Sequence, residues 1–395
     1  MTMAVTMTTT MRLVALWLTT SSLLMTAHAF PVTSSRSSKK NRARPNTGGG
    51  AGFGNKGKTA TLHDPDTSPE IASLMNFLIQ KGSIGLNDVG LEVGTCKTTG
   101  RRGLYCTTAY NKGEIVCQIP SDLALALSDP TKLTASTEEV TMQEAGCNFL
   151  EMYVKDPQAQ QVWKPYLDSL PTSALTSETP DFYNEEELAL LEFPRIMTMA
   201  KERKQELQNF ISTKGDDSMT LDELQFATWL VSSRAIQLSL GESSEPETDD
   251  EGRPILKKNS KKLGLMIPFI DLANHSSNQP NACLHLIDPD KDDAWFALKA
   301  TRNISAGKEL VHSYGSGIES TVELLGNYGM VPDENKVDAF MWNRGGDDTE
   351  VEWSTTLEED ELMLKEVPEG SRLQTILQFR ARLKRAQQEV AAKAE

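Results

Sequence analysis

The most informative stretch of the chain reads MIPFIDLANHSS at residues 266–277, ISAGKELVHSYG at 304–315 and LLGNYGMV at 324–331. Short apolar runs bounded by Gly, Pro and Asn predict strands and tight turns. The three blocks therefore place an aspartate (Asp271), an Asn274-His275 pair and two Tyr-Gly units beside short apolar strands.

Charge is distributed unevenly along the chain. The 395 residues carry a net charge of −15, yet the first acidic residue is Asp64, and eight basic residues precede it. The rest of the chain therefore has a net charge of −23. A body that acidic repels nucleic acid and suits a basic, lysine-bearing protein segment, although solubility alone also accounts for it. We expect a protein partner and no nucleic acid.

The cysteines argue against a metal or disulfide scaffold. There are five, an odd number, and none has C-x-x-C spacing. Neither a zinc knuckle nor a disulfide framework is indicated, so we expect reduced thiols. Asp271, His275, Cys283 and His285 fit no common spacing of metal ligands, and we expect no metal.

The first sixty residues have the features of a targeting leader. Arg12 precedes an apolar run that ends at Ala27-His28-Ala29, which predicts a signal peptide over 1–29, too short for a membrane anchor. Residues 30–60 are rich in Ser and basic residues, as transit peptides and linkers are. With Phe30 after the cleavage site, the leader resembles the two-part plastid presequences of diatoms and related algae. It predicts a protein of the chloroplast stroma; ordinary secretion is the alternative.

The body begins with a helix and continues with glycine-punctuated strands. Ser68 and Pro69 predict a helix start, and Gly82 its end. Alternating apolar runs at 91–93, 100–106 and 111–120 predict a small β-meander. Residues from about 131 to 240 are expected to be helical, 241–262 to form a charged loop, and 333–395 to hold an acidic segment and a final helix near 372–393.

These motifs together resemble a SET-domain methyltransferase of the subclass that includes the Rubisco large-subunit lysine methyltransferase. The resemblance covers about 68–332. It implies an α+β fold of small β-sheets with a pseudoknot-like C-terminal crossing, a helical insert and a short helical C-terminal extension. Members usually carry a sizeable helical substrate-binding domain after the SET core, whereas only about sixty residues remain here. The substrate-binding region is therefore expected to be abbreviated.

The same resemblance implies an activity and a set of site residues. It implies a protein-lysine N-methyltransferase that uses S-adenosylmethionine, whose sulfonium already activates the methyl group, so that a positioned neutral amine is needed and a metal is not. Tyr314 and Tyr328 would be catalytic. Arg234 and Asp271 would lie where cofactor and substrate meet. The cofactor would be bound by Gly100, Arg101, Arg102, Gly103, Leu104, Asn274 and His275.

Two other functions remain open at this point. A SET-fold binding or assembly protein could keep the scaffold and transfer no methyl group. One relative in the subclass methylates a histidine of actin, so the acceptor could also be histidine. A single buried tyrosine is more often a core residue than a catalyst, and only the order of the whole set favours an enzyme.

Overall fold

The computed structural model describes residues 63–86, 90–128, 140–172, 179–215, 218–240, 261–289, 291, 293–314, 319–344 and 351–394. The expected signal peptide, the transit peptide or linker, and residues 241–260 of the expected charged loop lie outside these ranges. Within them, no helix is long and apolar enough to cross a membrane.

Eleven short strands in the described part of the chain form three small sheets. The first has the order β1-β2-β3-β11-β8, the second β4-β10-β9 and the third β5-β7-β6. In chain order the strands are β1 His63–Pro65, β2 Leu91–Cys96, β3 Arg102–Cys106, β4 Ile115–Pro120, β5 Leu125–Ala126, β6 Ile236–Leu240, β7 Lys261–Met266, β8 Asn274–His275, β9 Ala282–Ile287, β10 Trp295–Ala300 and β11 Glu309–His312.

Ten α-helices accompany the sheets in these residues. They are α1 Pro69–Gln80, α2 Met142–Phe149, α3 Pro157–Leu167, α4 Glu185–Leu190, α5 Pro194–Lys214, α6 Leu221–Arg234, α7 Thr321–Tyr328, α8 Lys336–Arg344, α9 Leu357–Met363 and α10 Arg372–Ala394. Several begin where the sequence predicts: Ser68 caps α1, and Thr220 and Glu223 form a capping box at α6. The short sheets and the helices between them make an α+β fold, as expected.

The expected β-meander is only half present. β2 and β3 form an antiparallel hairpin, with Gly100 at φ +65° in its turn. β4 pairs instead with β10, and the other edge of β3 is taken by β11. The prediction was wrong about β4 because its neighbour lies almost two hundred residues further along the chain, and only tertiary packing selects such a partner.

The helical insert also ends earlier than expected. α6 stops at Arg234, and Ala235 is already extended (φ −74°, ψ 136°). Residues 236–240 then form β6, which pairs with β7, so that Lys261 and Lys262 belong to a strand and not to the charged loop. The reason is local: apolar residues alternate through β6 with a period of two, which suits a strand.

Two hydrophobic cores hold the elements together. The larger one joins the sheets to α1, α2, α3 and α6. The second lies between the insert helices α4 and α5, the short helix α7 and the long α10, and includes Phe193, Leu325 and Phe379. The C-terminal extension is therefore packed against the same helix, α7, that ends in Tyr328.

Buried ion pairs also attach the C-terminal extension. Arg382 donates to the carboxylate of Asp338 at 3.0 Å, and this carboxylate accepts from the backbone N–H and hydroxyl of Thr321, both at 2.7 Å. Thr321 is the first residue of α7. A charge-assisted cap of this kind fixes the start of the helix.

Candidate active site beside strands β8 and β11

The site is built on a parallel pair of strands. Asn274 lies opposite Val311, and His275 opposite His312. Asn281 holds the backbone of β11, because its side chain donates to the carbonyl oxygen of Glu309 at 2.7 Å and accepts from the N–H of Val311 at 2.8 Å. The pairing brings the Asn-His block and Tyr314, about forty residues apart in the chain, to one place.

A strained turn leads into this block. Phe269 is fully buried and has φ +73° and ψ −45°, a region that side-chain-bearing residues rarely occupy. Such a conformation costs about 1–3 kcal/mol and persists only where the surrounding packing enforces it. It directs the chain into the 3₁₀ turn Ile270–Leu272, which places Asp271 and Ala273 beside the strands.

Tyr314 lies at the centre of a ring cluster. Its hydroxyl donates to the carbonyl oxygen of Ala273 at 3.0 Å. Its ring centroid is 5.0 Å from those of Tyr328 and His312 and 5.2 Å from that of His275. Its N–H donates to Nδ1 of His275 at 2.8 Å, and Nε2 of that ring lies 2.6 Å from the hydroxyl of Ser277. Because Nδ1 accepts, the proton of the neutral imidazole is on Nε2.

The four rings are uncharged at neutral pH. Burial raises the pKa of the Tyr314 hydroxyl, and burial followed by the nearby Glu319 raises that of Tyr328. Burial lowers the pKa of His275 and brings that of His312 to about 4. The four partly buried rings thus form an uncharged environment in which desolvation disfavours a positive charge.

Asn274 is held by two acceptors. Its Nδ2 donates to the carbonyl oxygen of Arg102 at 2.9 Å and to Oε1 of Glu309 at 2.7 Å. The space is available because residue 103 is glycine: a Cβ there would lie 2.5 Å from Oε1 of Glu309 and 2.7 Å from Nδ2 of Asn274. Any side chain at position 103 would displace both groups.

Asp271 and Arg234 form a buried pair behind the rings. The Asp271 carboxylate accepts from the hydroxyl of Tyr166 at 2.8 Å and lies 3.5 Å from the Arg234 guanidinium. Burial raises the pKa of Asp271, while Arg234, Tyr166 and Arg102 lower it. Burial and the charge of Arg234 lower the pKa of Arg102, so two guanidinium groups lie close to one aspartate.

A cation binds the C-terminal end of α7, where Tyr328 lies. Arg203 on α5 donates to the carbonyl oxygen of Gly326 and, at 2.5 Å, to Oδ1 of Asn327. A cation at this position interacts favourably with the C-terminal end of α7. Arg203 therefore links the helical insert to the end of the helix that carries Tyr328.

Comparison with known proteins identifies the fold. The profile of the SET domain matches residues 101–315, more than half of the chain. The chain belongs to the SET domain family. The profile begins next to β3 and ends one residue after Tyr314, so it contains all of the strands that build the site.

Solved SET domains have the same architecture. The SET domain of LSMT, in a crystal structure with lysine and AdoHcy, superposes with a TM-score of 0.59 at 17% identity and covers 83% of this chain and 91% of that one. Rubisco LSMT bound to AdoMet gives a TM-score of 0.55 at 14% identity and covers 82% of this chain and 91% of that one. At these identities the likeness shows the fold alone.

One curated relative can be aligned over a large part of the sequence. Ribosomal lysine N-methyltransferase set10 of Schizosaccharomyces pombe is 25% identical over 251 residues. The aligned region is 60% of this chain but 41% of that protein. The chain thus spans less than half the length of this relative.

The SET fold brings together most of the residues named from the sequence. Asn274, His275, Tyr314 and Tyr328 lie in the ring cluster or beside it, and Gly103 and the carbonyl of Arg102 support Asn274. Asp271 and Arg234 pair behind them. Three others lie apart: Gly100 is exposed at the hairpin turn, Arg101 is exposed, and the Leu104 side chain is buried in the main core.

Four further residues of this site were not predicted from the sequence. They are Tyr166, Asn281, Glu309 and His312. A period of two places His312 on the face of its strand that Tyr314 continues, so this signal could have found it. Tyr166 is 105 positions from Asp271, and no local pattern predicts such a contact.

In the described residues, no group of three His, Cys, Asp or Glu side chains is arranged to hold a metal ion. All five cysteines carry free thiols. Burial raises the pKa of Cys106 and Cys117 to about 12, which is typical of unreactive core thiols.

Proposed function

We propose that this chain is a protein-lysine N-methyltransferase that uses S-adenosylmethionine. The observation that carries the proposal is the pair formed by Tyr314 and Tyr328, 5.0 Å apart and flanked by two neutral imidazoles, in a SET domain. An uncharged aromatic space of this kind suits the side chain of a lysine that must lose its proton before it reacts.

The residues around Asn274 fit the amino-acid part of the cofactor. Both N–H groups of the Asn274 amide are engaged, so its Oδ1 remains to accept from an ammonium group. Nε of Arg234 is buried and has no hydrogen-bond partner among the described residues, and it suits a carboxylate. When bound, the cofactor supplies a methyl group that its sulfonium makes electrophilic. Asn274, His275 and the backbone of Arg102 and Gly103 would hold it.

The ring cluster would make the lysine amine nucleophilic. A lysine ordinarily has a pKa near 10.4, and an ammonium that enters a poorly hydrated space loses more solvation than a neutral amine does. None of the four rings offers a compensating negative charge, because burial keeps the two tyrosines protonated. The rings therefore favour the neutral amine, and the nearby carboxylate of Glu319 acts in the opposite direction.

Tyr314 would orient the amine. The hydroxyl proton of Tyr314 is engaged by the carbonyl oxygen of Ala273, so its oxygen can act toward a substrate only as an acceptor. By accepting one N–H of the amine, it would fix the direction of the nitrogen lone pair. Holding the reacting groups in this way lowers the entropic part of the activation barrier.

We propose further that the substrate is a basic protein segment in a plastid. Support comes from the net charge of −23 that follows the leader and from the leader itself, with its signal-peptide and transit-peptide features. The relative set10 is named as a ribosomal lysine N-methyltransferase. Basic proteins such as those of ribosomes agree with the acidic charge of this chain.

The test is transfer of labelled methyl groups from S-adenosylmethionine into a plastid extract by the full-length chain, followed by mass spectrometry of each labelled protein. We expect label on lysine, lost in Tyr314→Phe and Asn274→Ala. Tyr153→Phe is the matched control, because its hydroxyl also donates to a backbone carbonyl, that of Ala126 at 3.0 Å, away from the site.

The outcomes separate the possible functions. Label on histidine would replace lysine as the acceptor. A folded chain that binds S-adenosylmethionine and labels nothing would point to the binding or assembly function. A folded chain that fails to bind S-adenosylmethionine would overturn the proposal as a whole.

A further inference from the structure

Asn274 is held so that only one orientation of its amide is possible. The carbonyl oxygen of Arg102 and the carboxylate of Glu309 can only accept hydrogen bonds, and they lie 2.9 Å and 2.7 Å from the same atom of Asn274. That atom must be Nδ2, since Oδ1 would meet two acceptors. Oδ1 is consequently turned away from both partners.

The two acceptors differ in how much they constrain the amide. The carbonyl of Arg102 belongs to the backbone of β3 and is present whatever the side chains are. Glu309 is different, because its side chain supplies the second acceptor. With Glu309 removed, the flipped amide would still clash with one acceptor, but one of the two contacts that enforce its orientation would be gone.

Several contacts hold Glu309 in position. Its backbone pairs with Tyr105 of β3, and its carbonyl oxygen accepts from the buried Asn281 side chain at 2.7 Å. Burial raises the pKa of the carboxyl group, whereas the Asn274 hydrogen bond and the charges of Arg101 and His63 lower it. The carboxylate also occupies the space that glycine at position 103 leaves free.

We infer that Glu309 is a positioning residue that fixes the Asn274 amide so that Oδ1 faces the ammonium group of the cofactor. The inference rests on the proposed function, because it takes S-adenosylmethionine as the ligand. Glu309 itself does not contact the cofactor. Its contribution is selectivity: it makes the site favour ligands that carry a hydrogen-bond donor at this position over ligands that lack one.

The test measures binding of two ligands to the full-length chain by calorimetry. One is S-adenosylhomocysteine, and the other is its analogue without the α-amino group. We expect wild type to bind the first about tenfold more tightly, the effect of one hydrogen bond to a charged group. Glu309→Leu should lose part of this preference, because the Arg102 carbonyl still constrains the amide, while its affinity for the deaminated analogue stays within about threefold.

Two matched variants serve as controls. Glu309→Gln keeps an acceptor oxygen and should retain the preference. Glu92→Leu removes another carboxylate from the same sheet, one that binds His63 at 2.6 Å, and should leave the preference unchanged. Equal weakening of both ligands in Glu309→Leu, or an unchanged preference, would overturn the inference. Wild type that binds neither ligand would overturn the proposed function, and this inference with it.

A measurement without ligand covers the case in which Glu309→Leu does not fold. The side-chain N–H₂ signals of Asn274, observed in protein with ¹⁵N-labelled asparagine, should show two hydrogen-bonded protons in wild type and in Glu309→Gln. Rapid rotation or solvent exchange of both protons in wild type would contradict the fixed amide.

Discussion

The hydroxyl of Tyr314 donates to the carbonyl oxygen of Ala273 at 3.0 Å, across a separation of 41 residues in the chain. Ala273 directly precedes Asn274, so this bond joins the end of β11 to the start of β8. The atom proposed to orient the amine is thus fixed by the segment proposed to bind the cofactor. Few torsion angles therefore separate the Tyr314 hydroxyl from Asn274. An in-line methyl transfer requires the amine and the cofactor to be held in a fixed relative position.

Tyr328→Phe should lower kcat by about tenfold and leave cofactor affinity within about twofold. The ring, and its contact with Tyr314 at 5.0 Å, is kept, while the hydroxyl, which we propose contacts the amine, is lost. Steady-state methyl transfer and calorimetry of the same preparations check this. A parallel loss of cofactor affinity would place Tyr328 in the cofactor site instead.

Arg203→Ala should disturb Tyr328 from the opposite side of α7. It removes the cation that binds the carbonyl of Gly326 and the side chain of Asn327. We expect a loss of about 1–2 kcal/mol in the free energy of unfolding and a fall in kcat, with partial rescue by Arg203→Lys.

Lys201→Ala is the control for Arg203. Lys201 lies on the same helix, and its substitution removes an exposed ion pair with Glu185. The free energy of unfolding and kcat should therefore stay near their wild-type values. Urea unfolding and steady-state kinetics measure the two effects. An unaltered kcat in Arg203→Ala would show that the end of α7 does not govern Tyr328.

Asp271→Asn should destabilise the fold by about 3–5 kcal/mol, because it leaves the largely buried Arg234 without its opposite charge. The amide can still accept from Tyr166, so the loss reports the charge more than the hydrogen bond. Urea denaturation compares it with Asp168→Asn, which breaks an exposed pair with Lys164 and should cost less than about 1 kcal/mol. A cost as small as that of the control would show that Arg234 does not need this partner.

His312 should make the protein less stable in mild acid. Its pKa is about 4 in the folded protein, against 6.5 for an unperturbed histidine. Between these values the unfolded chain binds a proton that the folded chain does not, so the free energy of unfolding falls as pH decreases through this range. This stability is fully present above about pH 7, and about 2–3 kcal/mol of it is lost by pH 4.

His312→Asn should reduce this dependence. Urea unfolding at pH 7.5 and at pH 5 would show a smaller difference between the two conditions in the variant than in wild type. The neighbouring His275, whose pKa burial also lowers, should account for part of what remains. A variant with the full wild-type difference would mean that His312 is not the group responsible.

Elements whose signals are local can be predicted from the amino-acid sequence. Helix α1 begins where Ser68 and Pro69 predict, α6 begins at its capping box, and α10 extends over Arg372–Ala394, close to the expected 372–393. The hairpin of β2 and β3 follows from its turn at Gly100. Caps, turns and periodicity act between residues a few positions apart, so the sequence carries them directly.

Long-range packing selects which strands and side chains meet. It paired β4 with β10 and placed β11 between β3 and β8, and it brought Glu309 to Asn274 and Tyr166 to Asp271. The two side-chain contacts join residues 35 and 105 positions apart, and β4 meets β10 across a still longer stretch of chain. Their formation depends on closing long loops and on burying two cores at once, and that free energy belongs to the whole fold. The residue types of the site could be recognised in the sequence, but their hydrogen-bond partners arose from packing.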